Sequence, residues 1–245
     1  MQNQSRRSFF QAATVTLAAA AAPRSPAAQP LSGDPLAGGA FGAQLTPTPL
    51  PFDVRKLNGL SEKLLQSHWE NNYGGAVRAL NAVRSRLVQA LGDANTPPYV
   101  YNGLKREQLM RTGSVVLHEL YFENLGGGGS GGAGADLRAK ISASFGTFDA
   151  WEAEFRKIGL GLGGGSGWVM LGYNRKLRLL ENHWMADHAT APVDVAPLLV
   201  MDMYEHAFAM DYGAAVAKYI DAFFTNIQWD VVAKRLEQGT VPVRG

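Results

Sequence analysis

Large apolar and aromatic side chains recur at helical spacing through two long stretches of the chain. In the first, Leu64, Leu65, Trp69, Ala76, Val77, Leu80, Val83, Leu87 and Leu91 repeat near the helical period behind Ser61-Glu62, a pair suited to a helix start. Gly74-Gly75 is a place for this helix to bend or to admit another backbone closely. Asn95 to Pro98 interrupts the pattern, and a second helix is predicted from about Lys105 to Leu125. Two long helices with a short break form an antiparallel hairpin.

A run of glycine, GGGGSGGAG at residues 126–134, then separates two differently patterned halves. It contains a literal G-x-S-x-G at 128–132 but lacks the preceding strand and following helix that a hydrolase elbow needs, so it reads as a linker. Gly159-x-Gly161-x-x-Gly164 matches the dinucleotide pattern in letters only, because it precedes a strand instead of following one. Beyond the linker, helices are predicted near 136–144 and 148–158, with Thr147 as a cap. Three apolar runs, 168–173, 177–180 and 197–202, read as strands, and helices near 213–226 and 230–237 close the chain. The fold class that follows is α+β: an N-terminal long α-hairpin domain (51–125), a Gly-rich linker (126–135), and a C-terminal α/β domain (136–245) with a small antiparallel sheet of about three strands.

The first residues carry a different pattern. Arg6 and Arg7 precede an uninterrupted run of small apolar residues at 12–22, too short for a bilayer, which takes ~20 residues. Pro23, Pro26 and Pro30 follow and would stop an alanine-rich helix. Residues 1–28 therefore read as a signal peptide, and Ser5-Arg6-Arg7-Ser8-Phe9-Phe10 resembles a twin-arginine signal, implying export of a folded protein by that machinery to the periplasm or beyond. Residues 29–50, rich in Gly, Pro and Ala, are expected to be a flexible lead-in. No membrane span is expected in the mature protein.

Composition narrows the chemistry. Hydrophobic residues make up 46% and charged residues 18%, ordinary for a globular protein. The formal charge of +2 falls by the three arginines of the leader to −1, which gives no reason to expect nucleic acid. There is no cysteine, which excludes disulfides, thiolate zinc sites, iron–sulfur clusters and cysteine nucleophiles. Any metal must rest on His, Asp or Glu, and only five histidines exist. His118 opens HELYF, where Phe122 stands in place of the second histidine of a zincin. The candidate ligands are His68, His118 and the Asp202/His206 pair after the apolar run PLLVMD. Three imidazoles and a carboxylate suit iron or manganese without excluding zinc.

These segments also resemble one family, the iron/manganese superoxide dismutases, over nearly everything after residue 50. LSEKLLQSHWENNY is similar to its first helix, LHELYFENL to its N-H-x-F-Y-W-N-x-L segment, DMYEHAFAMDY to D-x-W-E-H-A-Y-Y-x-D-Y, and IQWDVV to N-W-x-x-V. The resemblance implies one iron or manganese ion per subunit held by His68, His118, Asp202 and His206, superoxide as substrate, and a homodimer or dimer-based tetramer with Glu205 reaching across the interface. It places Trp168 along the site and a second histidine, His183, against the solvent on the metal. His188 is expected at the surface. Asn72, Tyr73 and Ala76 fall where the family lines its substrate funnel with His-His-x-x-Tyr; Tyr204 replaces a Trp, and Phe208-Ala209 replace Tyr-Tyr. These departures leave an alternative: a relative with another redox substrate or a mainly structural metal.

Overall fold

The computed structural model describes residues 40, 42–126 and 132–240. The expected signal peptide, with Arg6 and Arg7, lies outside these residues, as do positions 127–131 of the linker.

The N-terminal half is the expected hairpin, with two differences. Helix α1 (Glu62–Ser67) begins at Ser61, whose hydroxyl accepts from the Leu64 amide 3.1 Å away. It passes into a π-helical stretch, His68–Tyr73, before α2 (Gly74–Gly92) resumes the normal winding. A π turn inserts an extra residue and often marks a functional position; here it begins at a candidate ligand. Helix α3 (Pro98–Glu123) starts seven residues before the expected Lys105. Proline lacks only an amide that the first turn leaves unbonded anyway, so Pro98 opens this helix instead of blocking it.

Residues 42–50, expected as flexible lead-in, are instead strapped to the hairpin. The Asn81 side chain bonds both backbone groups of Leu45, accepting from its amide (3.0 Å) and donating to its carbonyl (2.9 Å). The Thr48 amide donates to the Tyr73 hydroxyl (2.8 Å), and the Trp69 indole donates to the Thr48 carbonyl (2.9 Å). The composition is that of a loose segment, but side chains on α2 and the π stretch satisfy its backbone.

In the C-terminal half, α4 (Ala135–Phe145) and α5 (Phe148–Leu162) precede a three-stranded antiparallel sheet in the order β2-β1-β3. The Thr147 hydroxyl caps α5 by accepting from the Ala150 amide. Strand β1 (Trp168–Asn174) lies between β2 (Leu179–Met185) and β3 (Val195–Asp202). Helices α6 (Ala209–Tyr212), α7 (Val216–Thr225) and α8 (Trp229–Thr240) complete the chain. Strand β3 is buried along nearly its whole length, as expected of a strand covered on both faces. The register pairs Trp168 with both Met185 and Asp202, so all three strands present residues at the same end of the sheet. That end faces the hairpin. No described helix is long and apolar enough to cross a membrane.

Candidate metal centre

Four separate elements deliver the candidate ligands to one point. His68 opens the π stretch, His118 lies in the last part of α3, Asp202 ends β3, and His206 lies in the short 3-10 turn Glu205–Ala207. One donor atom of each falls within 4.8 Å of the others. Three histidine Nε2 atoms point at a single oxygen, Asp202 Oδ2, from 3.1 Å (His68), 3.2 Å (His206) and 3.7 Å (His118). His68, His118 and Asp202 are buried, while the His206 side chain keeps 25% of its surface exposed.

The backbone aims the carboxylate. Asp202 Oδ1 accepts from the Tyr204 amide (2.8 Å), and the Tyr219 hydroxyl donates to the Asp202 carbonyl (2.6 Å). Oδ2 is left for the imidazoles. Burial alone would push this carboxyl up, but the neighbouring His206 and hydrogen bonds from His206 and His68 hold it well below the usual carboxylate range. Burial also pushes His68 down, and pushes His118 down to about 3.

The proton positions test whether this cluster suits a metal. His118 Nδ1 lies 2.6 Å from the Ser114 carbonyl oxygen. A carbonyl can only accept, so Nδ1 carries the proton and neutral Nε2 is a bare lone pair. That lone pair faces a carboxylate and has no hydrogen-bond partner. A buried lone pair set against a buried anion is unfavourable unless a cation lies between them. Donor separations below 4.8 Å are close to what one ion with ~2 Å bonds to nitrogen spans. The residues therefore fit a metal, and nitrogen and oxygen donors without sulfur suit iron or manganese.

Around the cluster lies a shell of rings. Phe122 and Tyr121 pack against His68 at centroid distances of 5.0 and 5.3 Å, and Trp168 meets His118 edge-on at 5.2 Å. Tyr204 stands between two imidazoles, stacked on His188 at 4.7 Å and on His206 at 5.3 Å.

Here the structure corrects one expectation. His188, not His183, occupies the place beside the site. His183 is an interior residue of β2, paired with Met170, and its Nε2 lies 4.0 Å from Glu181. The sequence pattern ends this strand at Leu180, which leaves His183 free to reach inward; the strand in fact runs to Met185 and ties it into the sheet. The following turn brings His188 back to within 6.0 Å of His118. The Trp168 indole donates to His188 Nδ1 at 3.0 Å, so a neutral His188 carries its proton on Nε2.

The funnel residues also fall differently. Ala76 is 3% exposed and belongs to the hairpin core, not to an open channel. Tyr73 is buried, with its ring 6.3 Å from His118, and its hydroxyl donates to Glu119 at 2.7 Å. Asn72 is half-buried. Glu205 is exposed beside a shallow groove lined by Leu160, Phe208 and Val216. Gly113, in the middle of α3, stands against the backbone of His188, a contact that a glycine inside a helix only hints at in sequence.

Comparison with known proteins agrees with this arrangement. The family model described as iron/manganese superoxide dismutases, C-terminal domain, matches residues 133–235. A superoxide dismutase [Fe] of Cupriavidus metallidurans is 50% identical over 187 residues, covering 76% of this chain and 93% of that protein. A superoxide dismutase [Fe] of Aquifex aeolicus is 36% identical over 189 residues, or 75% and 87% of the two chains. A superoxide dismutase [Mn] of Mycolicibacterium fortuitum is 30% identical over 205 residues, or 83% and 98%. The clustered ligands and these relatives together define a metal-dependent oxidoreductase. The chain belongs to the iron/manganese superoxide dismutase family.

Proposed function

We propose that the protein disproportionates superoxide, two superoxide anions and two protons giving dioxygen and hydrogen peroxide, at one iron or manganese ion held by His68, His118, Asp202 and His206. The observation that carries this is the convergence of three Nε2 atoms on Asp202 Oδ2, with the His118 lone pair fixed toward it by Ser114. When bound, the metal supplies the one-electron oxidation and reduction of the substrate. The protein's own groups hold and shape the site. One carboxylate and three neutral imidazoles leave a divalent or trivalent ion with net positive charge, which favours an anionic substrate. Phe122, Tyr121 and Trp168 exclude bulk water from the buried side, and the part-exposed edge of His206 gives a small anion its approach. His188, held by Trp168, offers an Nε2–H to solvent at the site. His118→Ala and Asp202→Ala should each strip the metal, and removing the metal should lower the melting temperature, because the ligands join separate elements. Full metal content in either variant would sink this ligand set.

Two further parts concern assembly and address. The protein works as a dimer, or as a tetramer built from two dimers, in which the exposed Glu205 carboxylate reaches the partner's metal site. The protein is exported folded by the twin-arginine pathway, on the strength of Ser5-Arg6-Arg7-Ser8-Phe9-Phe10 ahead of a weakly apolar run. Arg6→Lys with Arg7→Lys should leave folded, metal-loaded protein in the cytoplasm. Continued export of that variant would point to an ordinary secretory signal.

A further inference from the structure

At Gly113, helix α3 meets the turn that carries His188 backbone to backbone. Gly113 lies in the middle of that helix, where glycine costs ~1 kcal/mol relative to alanine. A β-carbon built there would overlap the carbonyl oxygen of His188 and come within 2.8 Å of its carbonyl carbon. The obstacle is main chain, so no side-chain rotation relieves it. Gly103, earlier in the same helix, is different: a β-carbon there would meet nothing within 4 Å. The glycine at 113 thus answers a close approach that the glycine at 103 does not have.

The turn touching Gly113 is internally braced. Asp187 accepts from the Ala189 amide (2.8 Å) and its carbonyl accepts from the Thr190 hydroxyl (3.1 Å), while the Asp187 amide donates back to Thr190 Oγ1 (3.2 Å). A push on the His188 carbonyl therefore moves the whole turn. The imidazole it carries has little freedom, since Nδ1 accepts from Trp168 at 3.0 Å and the ring lies 10° from parallel with Tyr204. The next peptide of α3 belongs to Ser114, whose carbonyl takes the His118 Nδ1 proton. One turn of helix therefore sets both a ligand imidazole and the neighbouring one.

We propose that Gly113 is a positioning residue: its lack of a side chain lets the 186–190 turn seat on α3 and so places the His188 imidazole against Trp168 and Tyr204 beside the metal site. The placement stands on geometry alone, while its effect on turnover rests on the dismutase reading. Gly113→Ala, Gly103→Ala, His188→Ala and the Gly113→Ala/His188→Ala double variant, each as full-length chain, separate the two.

In 15N-labelled protein loaded with diamagnetic zinc, the Trp168 indole N–H resonance, assigned with Trp168→Phe, reports the bond to His188. Gly113→Ala should move it toward its position in His188→Ala, and Gly103→Ala should leave it in place. In iron-loaded protein, Gly113→Ala should keep its metal and lose turnover ~10- to 100-fold, with no further loss when His188→Ala is added. Should Gly113→Ala fail to fold, Asp187→Ala loosens the same turn from its own side and should shift the same resonance. An unmoved indole in a folded Gly113→Ala, or in Asp187→Ala if the former does not fold, overturns the proposal. An indole that shifts while His188→Ala leaves turnover unchanged upholds the placement and counts against the catalytic role of His188 instead.

Discussion

His118 Nδ1 lies 2.6 Å from the carbonyl oxygen of Ser114, four residues earlier on the same helix. That contact fixes the tautomer and leaves the Nε2 lone pair facing Asp202 at 3.7 Å. The helix therefore presets an arrangement that is poor for the protein alone and good for a bound cation.

Acid should undo the metal-free protein earlier than usual. An unfolded histidine titrates near 6.5, while burial pushes native His118 down to about 3 and lowers His68 as well. Above pH 6.5 neither state binds the proton, and stability is at its full value. Between 6.5 and about 3 the unfolded chain is protonated and native His118 is not, so stability falls as pH falls, by up to ~1.4 kcal/mol per pH unit for one such proton. Asp202, held below 3.8, adds a loss of the same sign below about pH 4. Urea midpoints of metal-free protein from pH 8 to pH 4 measure this, and His118→Gln should flatten the slope. A midpoint unchanged between pH 7 and 5 contradicts the buried neutral imidazoles.

Much of this site is legible in the amino-acid sequence. Without cysteine, the histidines and one strand-ending aspartate were the available ligands, and D-x-x-E-H in its context singled out Asp202 and His206. The choice between His183 and His188 was not legible. Strand β2 lacks a clean alternation of buried and exposed positions, so local pattern ended it at Leu180, five residues short of Met185. The π stretch leaves no mark in a sequence read at the helical period. The strap at 42–50 depends on Asn81, thirty-six residues from Leu45, and composition carries no trace of such a bond.

Exchanging alanine for each histidine checks the correction directly. His188→Ala should retain most metal, shift the reduction potential and lower turnover ~10- to 100-fold, because the solvent at the site loses its partner. His183→Ala should leave both quantities near those of the unaltered protein. The opposite pattern would return His183 to the site.

Glu205 tests assembly. It is exposed in the single chain. If it reaches the partner's metal site, Glu205→Ala should weaken both association and metal retention. Removing one side of a buried carboxylate–imidazole contact typically costs ~3–5 kcal/mol. Sedimentation velocity across a dilution series, with metal content measured in parallel, reads both effects. A monomeric unaltered protein would remove this interface and leave the four ligands standing.

Superoxide decay followed by pulse radiolysis tests the central claim most directly. The full chain loaded with iron or manganese should accelerate decay catalytically, over many turnovers per metal, while the metal-free protein and Asp202→Ala treated with the same metal should not. Stoichiometric metal bound at the four ligands with no acceleration of superoxide decay would contradict the account and leave a metalloprotein with another substrate.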